Sequence, residues 1–291
     1  MAADLCLGTV QIGMHYGVNN ALGRQPTEEE AFAILCVALE RGIRYFDTAS
    51  DYGTAETLMG KFHMGDRSAN IITKLRPRTY SKECVLEEIR ASLDRLGVPF
   101  VYGCLLHHAE DMYHPDLWKG MVQAKREGLI QRIGVSIYDP EEALDAAEIP
   151  DMGIIQIPYN VLDQRLDNTY FFELAQENGI EIYARSPFLQ GLLLMDPETV
   201  PMGLQEALPY LLEFRNIAGR HGFTPREAAF LYPICHCGIR HVVFGVDTAE
   251  QLQDNMAIIQ KAEKFSFCWQ ELHGAFKTIP RKILMPSLWR V

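Results

Sequence analysis

Eight short runs of aliphatic and β-branched residues recur along the chain, each followed by a stretch of helical character, and this repeat limits the fold more than any other feature. The runs are LCLGT, YFDT, NIIT, VYGCLL, IGVS, IIQI, EIYA and HVVFG. The helix-like stretches lie at 27–41, 54–63, 81–96, 116–127, 140–147, 168–178, 204–221 and 248–262. Short apolar strands alternating with helices predict a parallel sheet, and eight such units predict its closure into a (β/α)8 TIM barrel of the α/β class. A chain of 291 residues suits one such barrel as a single domain spanning 1–291, with no linker or low-complexity tract to divide it. Residues 264–291 read as a short C-terminal extension that opens with a helix near 266–276.

Local signals mark the helix starts. Thr27 with Glu30 and Thr248 with Gln251 have the spacing of capping boxes, and Asp139 before Pro140 and Thr224 before Pro225 place a cap ahead of an N1 proline. The first strand begins by Leu5, which leaves little chain for a hairpin under the barrel, so other side chains must plug the floor. The segment from Pro187 to about Gly203, rich in Leu, Met and Pro, predicts a long loop after the seventh strand.

Three chemically active residues close strands: Asp47, Lys74 and His107. Tyr52 lies five residues after Asp47. In a barrel the loops after the strands open on one face, so these four converge there. An ammonium beside a phenol, whose unperturbed pKa is about 10, favours phenolate and makes the phenol a better acid. An aspartate keeps that lysine charged, and a histidine can orient a carbonyl oxygen. The set suits proton transfer at a carbonyl or alcohol oxygen while a nicotinamide cofactor carries hydride. His107 and His108 are adjacent, so on a strand only one of them can face the site.

Along nearly its whole length the chain resembles the aldo-keto reductase family. LGTVQIG resembles the family's first strand, FDTASDYG with Glu56 its Asp/Tyr signature, ITK its lysine strand and LLHH its histidine strand; GVSIY, QIPYN, RSPFLQGLLL and FGVDTAEQLQDN follow in family order. The resemblance implies a catalytic tetrad of Asp47, Tyr52, Lys74 and His107. It implies a cofactor path lined by Gly8, Thr9 and Val10, with Ser136 and Gln156 on the nicotinamide amide. Ser186, Phe188, Gln190 and Gly191 would follow the pyrophosphate, and Gly245, Val246, Asp247, Gln251 and Asn255 the adenosine end. Neither GxGxxG after a strand nor GxxxxGK[ST] occurs, so other dinucleotide and phosphate folds are not supported.

The family pattern breaks in three places. Ile137 replaces an asparagine that helps hold the amide. Arg185 stands where an aromatic ring often stacks on the nicotinamide; a guanidinium can stack too, and its charge would favour reduced cofactor or an acidic group on the substrate. Asp247 stands where NADP-using relatives place a cation, and a carboxylate there repels a 2′-phosphate but can accept from a ribose diol. Among NAD(H) and NADP(H) this leans toward NAD(H). A plainer reading makes Asp247 only a helix cap.

A net charge of −11 with no Lys/Arg cluster argues against nucleic acid and anionic membranes as partners. Seven cysteines without paired zinc-ligand spacing fit reduced thiols, and Cys235-His236-Cys237 lacks a second ligand pair, so no metal is expected. With no leader-like N-terminus or long apolar run the chain reads as cytoplasmic. The expected activity is interconversion of an alcohol with an aldehyde, ketone or sugar carbonyl, the partner being that small molecule. Tyr16, Tyr113, Trp118 and Phe188 are aromatic candidates for its pocket. Two other functions remain open: a non-catalytic nucleotide sensor or partner subunit, and a lyase using Lys74 as a Schiff base.

Overall fold

Side-chain alternation along each strand decides what fills the centre of the molecule and what meets the helices. The structure is a computed structural model and describes residues 2–20 and 22–289. Its eight strands are β1 (Asp4–Gly8), β2 (Tyr45–Asp47), β3 (Asn70–Leu75), β4 (Val101–Leu106), β5 (Ile130–Ser136), β6 (Met152–Pro158), β7 (Glu181–Arg185) and β8 (His241–Phe244). They pair in parallel in chain order, and β8 returns to β1 through Asp4↔His241 and Cys6↔Val243. The barrel expected from the repeat is therefore closed.

The inward-facing residues form three levels. At the floor, Tyr45 and Tyr183 pack on His241 with ring centroids 4.1 and 4.3 Å away. Tyr102 donates to Glu181 at 2.8 Å and accepts from Arg132 Nε at 3.0 Å. This group fills the end of the barrel at which the strands begin. Above it Cys6, Ile72, Leu105, Ile154, Tyr183 and Val243 form a dry middle cluster. Two residues further along the same strands, the alternation brings Gly8, Lys74, His107, Gln156, Arg185 and Gly245 to the open end, with Asp47 and Ser136 beside them. Outward residues such as Leu7, Phe46, Val135, Ile155, Ala184 and Val242 join the main core under the helices. Each large aliphatic side chain buried there contributes about 1.5–3 kcal/mol.

The helices are α1 (Val10–Gly13), α2 (Glu28–Glu40), α3 (Ala55–Lys61), α4 (Lys82–Leu96), α5 (Pro115–Arg126), α6 (Pro140–Glu148), α7 (Phe171–Glu177), α8 (Leu208–Arg220), α9 (Pro225–Ile234), α10 (Ala249–Ile258), α11 (Ser266–Ala275) and α12 (Arg281–Leu284). Thr27 and Glu30 form a reciprocal capping box, as do Thr224 and Glu227. Thr248 accepts from the Gln251 N–H, but the Gln251 side chain takes the N–H of Asp247 rather than that of Thr248, so this box is half made. The Asp139 N–H is taken by Glu142, while Asp139's own carboxylate binds Arg165 and Arg281. The stretch 204–221 is α-helical only from Leu208, with tighter 3-10 turns before it. The loop after β7 also contains 3-10 turns, at 189–194, 197–199 and 202–207.

The C-terminal extension starts with α11, as expected. It then returns across the open end of the barrel, tied by Arg281 to Asp139 at 2.6 Å and by Lys282 to Glu206. Residues 290 and 291 of the extension lie outside the described residues. No helix among the described residues is long and apolar enough to cross a membrane. All seven cysteines are unpaired thiols.

Candidate active site

β2 and β3 deliver Asp47 and Lys74 side by side because Asp47 pairs with Ile72, two residues before Lys74 on the same face. The Lys74 ammonium donates to Asp47 Oδ2 at 2.6 Å, to the Thr48 carbonyl at 2.9 Å and to Tyr52 Oη at 3.2 Å. All three ammonium protons are thereby placed. Lys74 also lies 4.7 Å from the centre of the Tyr52 ring. His107 stands edge-on to Tyr52 with ring centroids 5.8 Å apart. The four residues singled out in the sequence are one cluster.

Burial works against charge on Lys74, but Asp47 and Tyr52 outweigh it and hold the ammonium's pKa above its ordinary value. A lysine kept protonated is a poor amine nucleophile, which weighs against Schiff-base chemistry. Tyr52 departs from the expected direction. Burial raises its phenol pKa, and Lys74 offsets only part of that against a further rise from Asp47. The resting phenol is therefore neutral and carries the proton it would donate. His107 is pushed down to about 3, first by burial and then by Lys74, with smaller effects of His108 and Arg185, so it is a neutral imidazole. The adjacent histidines do not face opposite ways. β4 ends at Leu106, and beyond it the rings of His107 and His108 stack at 5.4 Å with 25° between planes.

A cavity of about 460 Å³ opens above the tetrad. Its wall contains Gly8, Val10, Asp47, Tyr52, His107, Ser136, Gln156, Arg185, Ser186, Phe188, Gln190, Gly191, Gly245, Val246, Asp247, Gln251 and Asn255. Thr9 is the exception among the expected cofactor residues. It is fully buried behind the wall, where its hydroxyl donates to the Asp47 carbonyl at 3.0 Å and steadies that strand end. Lys74 likewise lies behind the wall, bonded to Tyr52 and Asp47. Trp118 and Tyr113 are turned elsewhere, onto the Pro150 carbonyl and Asp145.

Several wall residues were not singled out in the sequence: Gln11, Asn19, Asn20, Tyr138, Arg226, Pro286 and Ser287. The loops after β1 and β7 meet here. Gln190 Nε2 donates to Tyr16 Oη at 2.8 Å, and the Val18 N–H to the Gln190 carbonyl at 3.2 Å. Gln190 and Gly191 both have positive φ, 52° and 96°, which lets the chain turn at this junction. At the far end Asn20 Nδ2 donates to Asp247 Oδ1 at 3.1 Å. Thr248, not Asp247, accepts the capping bond of α10.

Four buried polar atoms in this wall have no protein partner: Gln11 Oε1, His107 Nδ1, Gln156 Oε1 and Asn255 Oδ1. Buried polar atoms are normally satisfied, and the three amide oxygens among these four suit a ligand that carries hydrogen-bond donors. Gln156 is fixed in this role because its Nε2 already donates to Asp47 Oδ1 at 2.7 Å. A carboxamide beside Gln156 and an exocyclic amine beside Asn255 fit those atoms, and a nicotinamide dinucleotide carries one at each end. Among the described residues no group of three His, Cys, Asp or Glu side chains can hold a metal ion.

The model of the Aldo/keto reductase family matches residues 4–266. Among curated proteins, pyridoxal reductase of Arabidopsis thaliana chloroplasts is 27% identical, with 79% of this chain and 72% of the relative aligned. L-Glyceraldehyde 3-phosphate reductase of Escherichia coli O157:H7 is 28% identical over 93% of this chain and 88% of its own. The NADH-specific methylglyoxal reductase of Escherichia coli K12 is 24% identical over 87% and 88%. Among solved structures, the holo form of an aldo-keto reductase from Bacillus halodurans superposes with a TM-score of 0.78 at 23% identity, covering 98% of this chain and 96% of that one.

Proposed function

The chain belongs to the aldo/keto reductase family and is an NAD(P)-dependent oxidoreductase, and from that premise we propose that it reduces the carbonyl of a small polar aldehyde, ketone or sugar with Tyr52 as the proton donor. The observation that carries this reading is the Lys74 ammonium fixed between Asp47 and the Tyr52 hydroxyl. A nicotinamide held in the cavity would supply hydride to the carbonyl carbon. His107, neutral and edge-on to Tyr52, binds the carbonyl oxygen and turns it toward the phenol. As the C=O π bond becomes a C–O single bond, the oxygen takes the Tyr52 proton. The phenolate left behind is stabilised by the ammonium 3.2 Å away.

The residues named for the cofactor divide along the cavity. Ser136 and Gln156 are register partners on β5 and β6 and hold the carboxamide. Gly8, Val10, Ser186, Phe188, Gln190 and Gly191 follow the pyrophosphate, with Thr9 acting from behind; Gly245, Val246, Gln251 and Asn255 take the adenosine end. Asp247 joins them as acceptor for the ribose diol, which favours NAD(H) over NADP(H). Arg226 also reaches this end, but its charge is shared with Asp254 at 3.3 Å. The unpaired thiols fit a reducing compartment, and we place the protein in the cytoplasm.

Titration with NADH and NADPH, followed by addition of methylglyoxal and glyceraldehyde, tests the reading. Tyr52→Phe is expected to lower kcat by at least about a hundredfold while the dinucleotide Kd stays within about twofold of wild type. Full turnover by that variant would remove Tyr52 from the role. Tight nucleotide retention with no turnover of any carbonyl by the wild type would favour the sensor function instead. Tighter NADPH than NADH binding would count against the part given to Asp247.

A further inference from the structure

Among the described residues, the open end of the barrel carries a positive charge with no carboxylate in ion-pair contact. Asp47 and Lys74 neutralise each other at 2.6 Å. Tyr52 is a neutral phenol and His107 a neutral imidazole. Arg185 remains. It follows Tyr183 by two residues on β7 and so shares the upper level with Gln156 and Lys74. Its guanidinium is fixed by neutral groups alone: Nη2 donates to the Ile137 carbonyl at 3.1 Å, and the Tyr138 ring centre lies 4.3 Å away. The neighbouring carboxylates Asp163 and Asp139 are held by Arg165 and Arg281, two anions against two cations. Among the described residues no carboxylate forms an ion pair with Arg185.

Position then selects what this charge acts on. Arg185 is bonded to the residue that follows Ser136, at the carboxamide end of the cavity. With dinucleotide binding as the premise, the group held at this end would be the nicotinamide. That ring is neutral when reduced and cationic when oxidised, whereas the pyrophosphate and adenosine contacts are the same in both forms. We propose that Arg185 is the residue by which this protein reads the redox state of its cofactor, holding the reduced form and repelling the oxidised one, so that oxidised cofactor is released readily and carbonyl reduction is the favoured direction.

An unpaired charge in a partly enclosed cavity acts in this way whatever the orientation of the ring. Like charges in that setting repel by enough to change an equilibrium constant about tenfold or more. The charge also extends to the reacting groups. After the larger effects of burial and Lys74, Arg185 draws down the pKa of both Tyr52 and His107, which favours negative charge on the phenol oxygen as its proton leaves.

The test is calorimetric titration of wild type, Arg185→Gln and Arg185→Lys with NADH and with NAD+, read as the ratio of the two dissociation constants. Gln keeps a donor for the Ile137 carbonyl without the charge, and Lys keeps the charge. Wild type is expected to bind NADH about tenfold or more tightly than NAD+. Arg185→Gln should bring the ratio toward unity, chiefly by tighter NAD+ binding, and Arg185→Lys should retain most of the wild-type ratio. An unchanged ratio in Arg185→Gln overturns the proposal while leaving dinucleotide binding intact. So does an unchanged ratio combined with a raised KM only for carboxylated aldehydes, which would assign the cation to the substrate. Wild type that binds neither NADH and NAD+ nor NADPH and NADP+ overturns the dinucleotide reading and this inference with it.

Discussion

A lysine with 1% of its side chain exposed is tolerated only because its charge is answered, and Lys74 is answered by a carboxylate almost equally buried. Removing one partner of such a pair strands the other in a medium that solvates it poorly, at a cost of about 3–5 kcal/mol. Lys74→Met should therefore lower both activity and unfolding free energy by urea denaturation, and the double change Asp47→Asn with Lys74→Met should restore much of the stability but none of the rate. A single variant as stable as wild type would show that Asp47 finds another partner. Which residues point at the site was legible in the sequence where strand alternation applies: Asp47, Lys74, Ser136, Gln156 and Arg185 all lie at or beside strand ends. Gln11, Asn20 and Arg226 were not legible, because they come from helices and loops whose placement depends on tertiary packing. The direction of the Tyr52 shift was misjudged because adjacency to a cation can be read from a motif, whereas the depth of burial that outweighs it cannot.

Among the elements, the short α1 determines where Tyr52 stands. A Cβ on Gly13 would lie 2.0 Å from the Tyr52 carbonyl and 2.7 Å from Ala55 Cβ, and one on Gly53, already at φ +54°, would lie 2.3 Å from the Gly13 carbonyl. The Thr54 N–H donates to that same Gly13 carbonyl at 3.0 Å. Gly13→Ala must shift α1 and the Tyr52 turn relative to each other, and displacement of a reacting group by about 1 Å can cost on the order of a hundredfold in rate. The expected result is a kcat at least about tenfold lower, with dinucleotide affinity nearly unchanged and a folded circular dichroism spectrum. A wild-type kcat would mean that the turn is positioned from elsewhere. The eight strands and their following helices could be read from periodicity, but α9 could not. Seven consecutive residues of it, Ala228 to Ile234, are buried; a helix enclosed on all sides has no polar face and so no period to detect. Only its cap, Thr224 before Pro225, announced it.

At the level of the whole molecule, acid should weaken the fold through two histidines at opposite ends of the barrel. His241 at the floor is fully buried with neither ring nitrogen hydrogen-bonded, and burial, then Arg240 and Arg132, lowers its pKa to about 3. His107 is lowered to the same level. In the unfolded chain both titrate near 6.5. Between about pH 6.5 and 3 the unfolded state thus binds protons that the folded state refuses, so stability is fully present above this window and is lost as pH falls through it. Thermal unfolding at pH 7.5 and pH 5 should show a lower Tm in acid, and His241→Phe, which keeps the ring between Tyr45 and Tyr183, should reduce that drop. An equal drop in the variant would place the acid sensitivity elsewhere. The pairing of β1 with β8 has a further consequence, for biosynthesis. One edge of β1 has no partner until His241–Phe244 have been made, so at roughly 5–20 residues per second a growing chain presents that edge for on the order of 10–50 s, and its exposure to the cell's folding helpers is determined by translation speed.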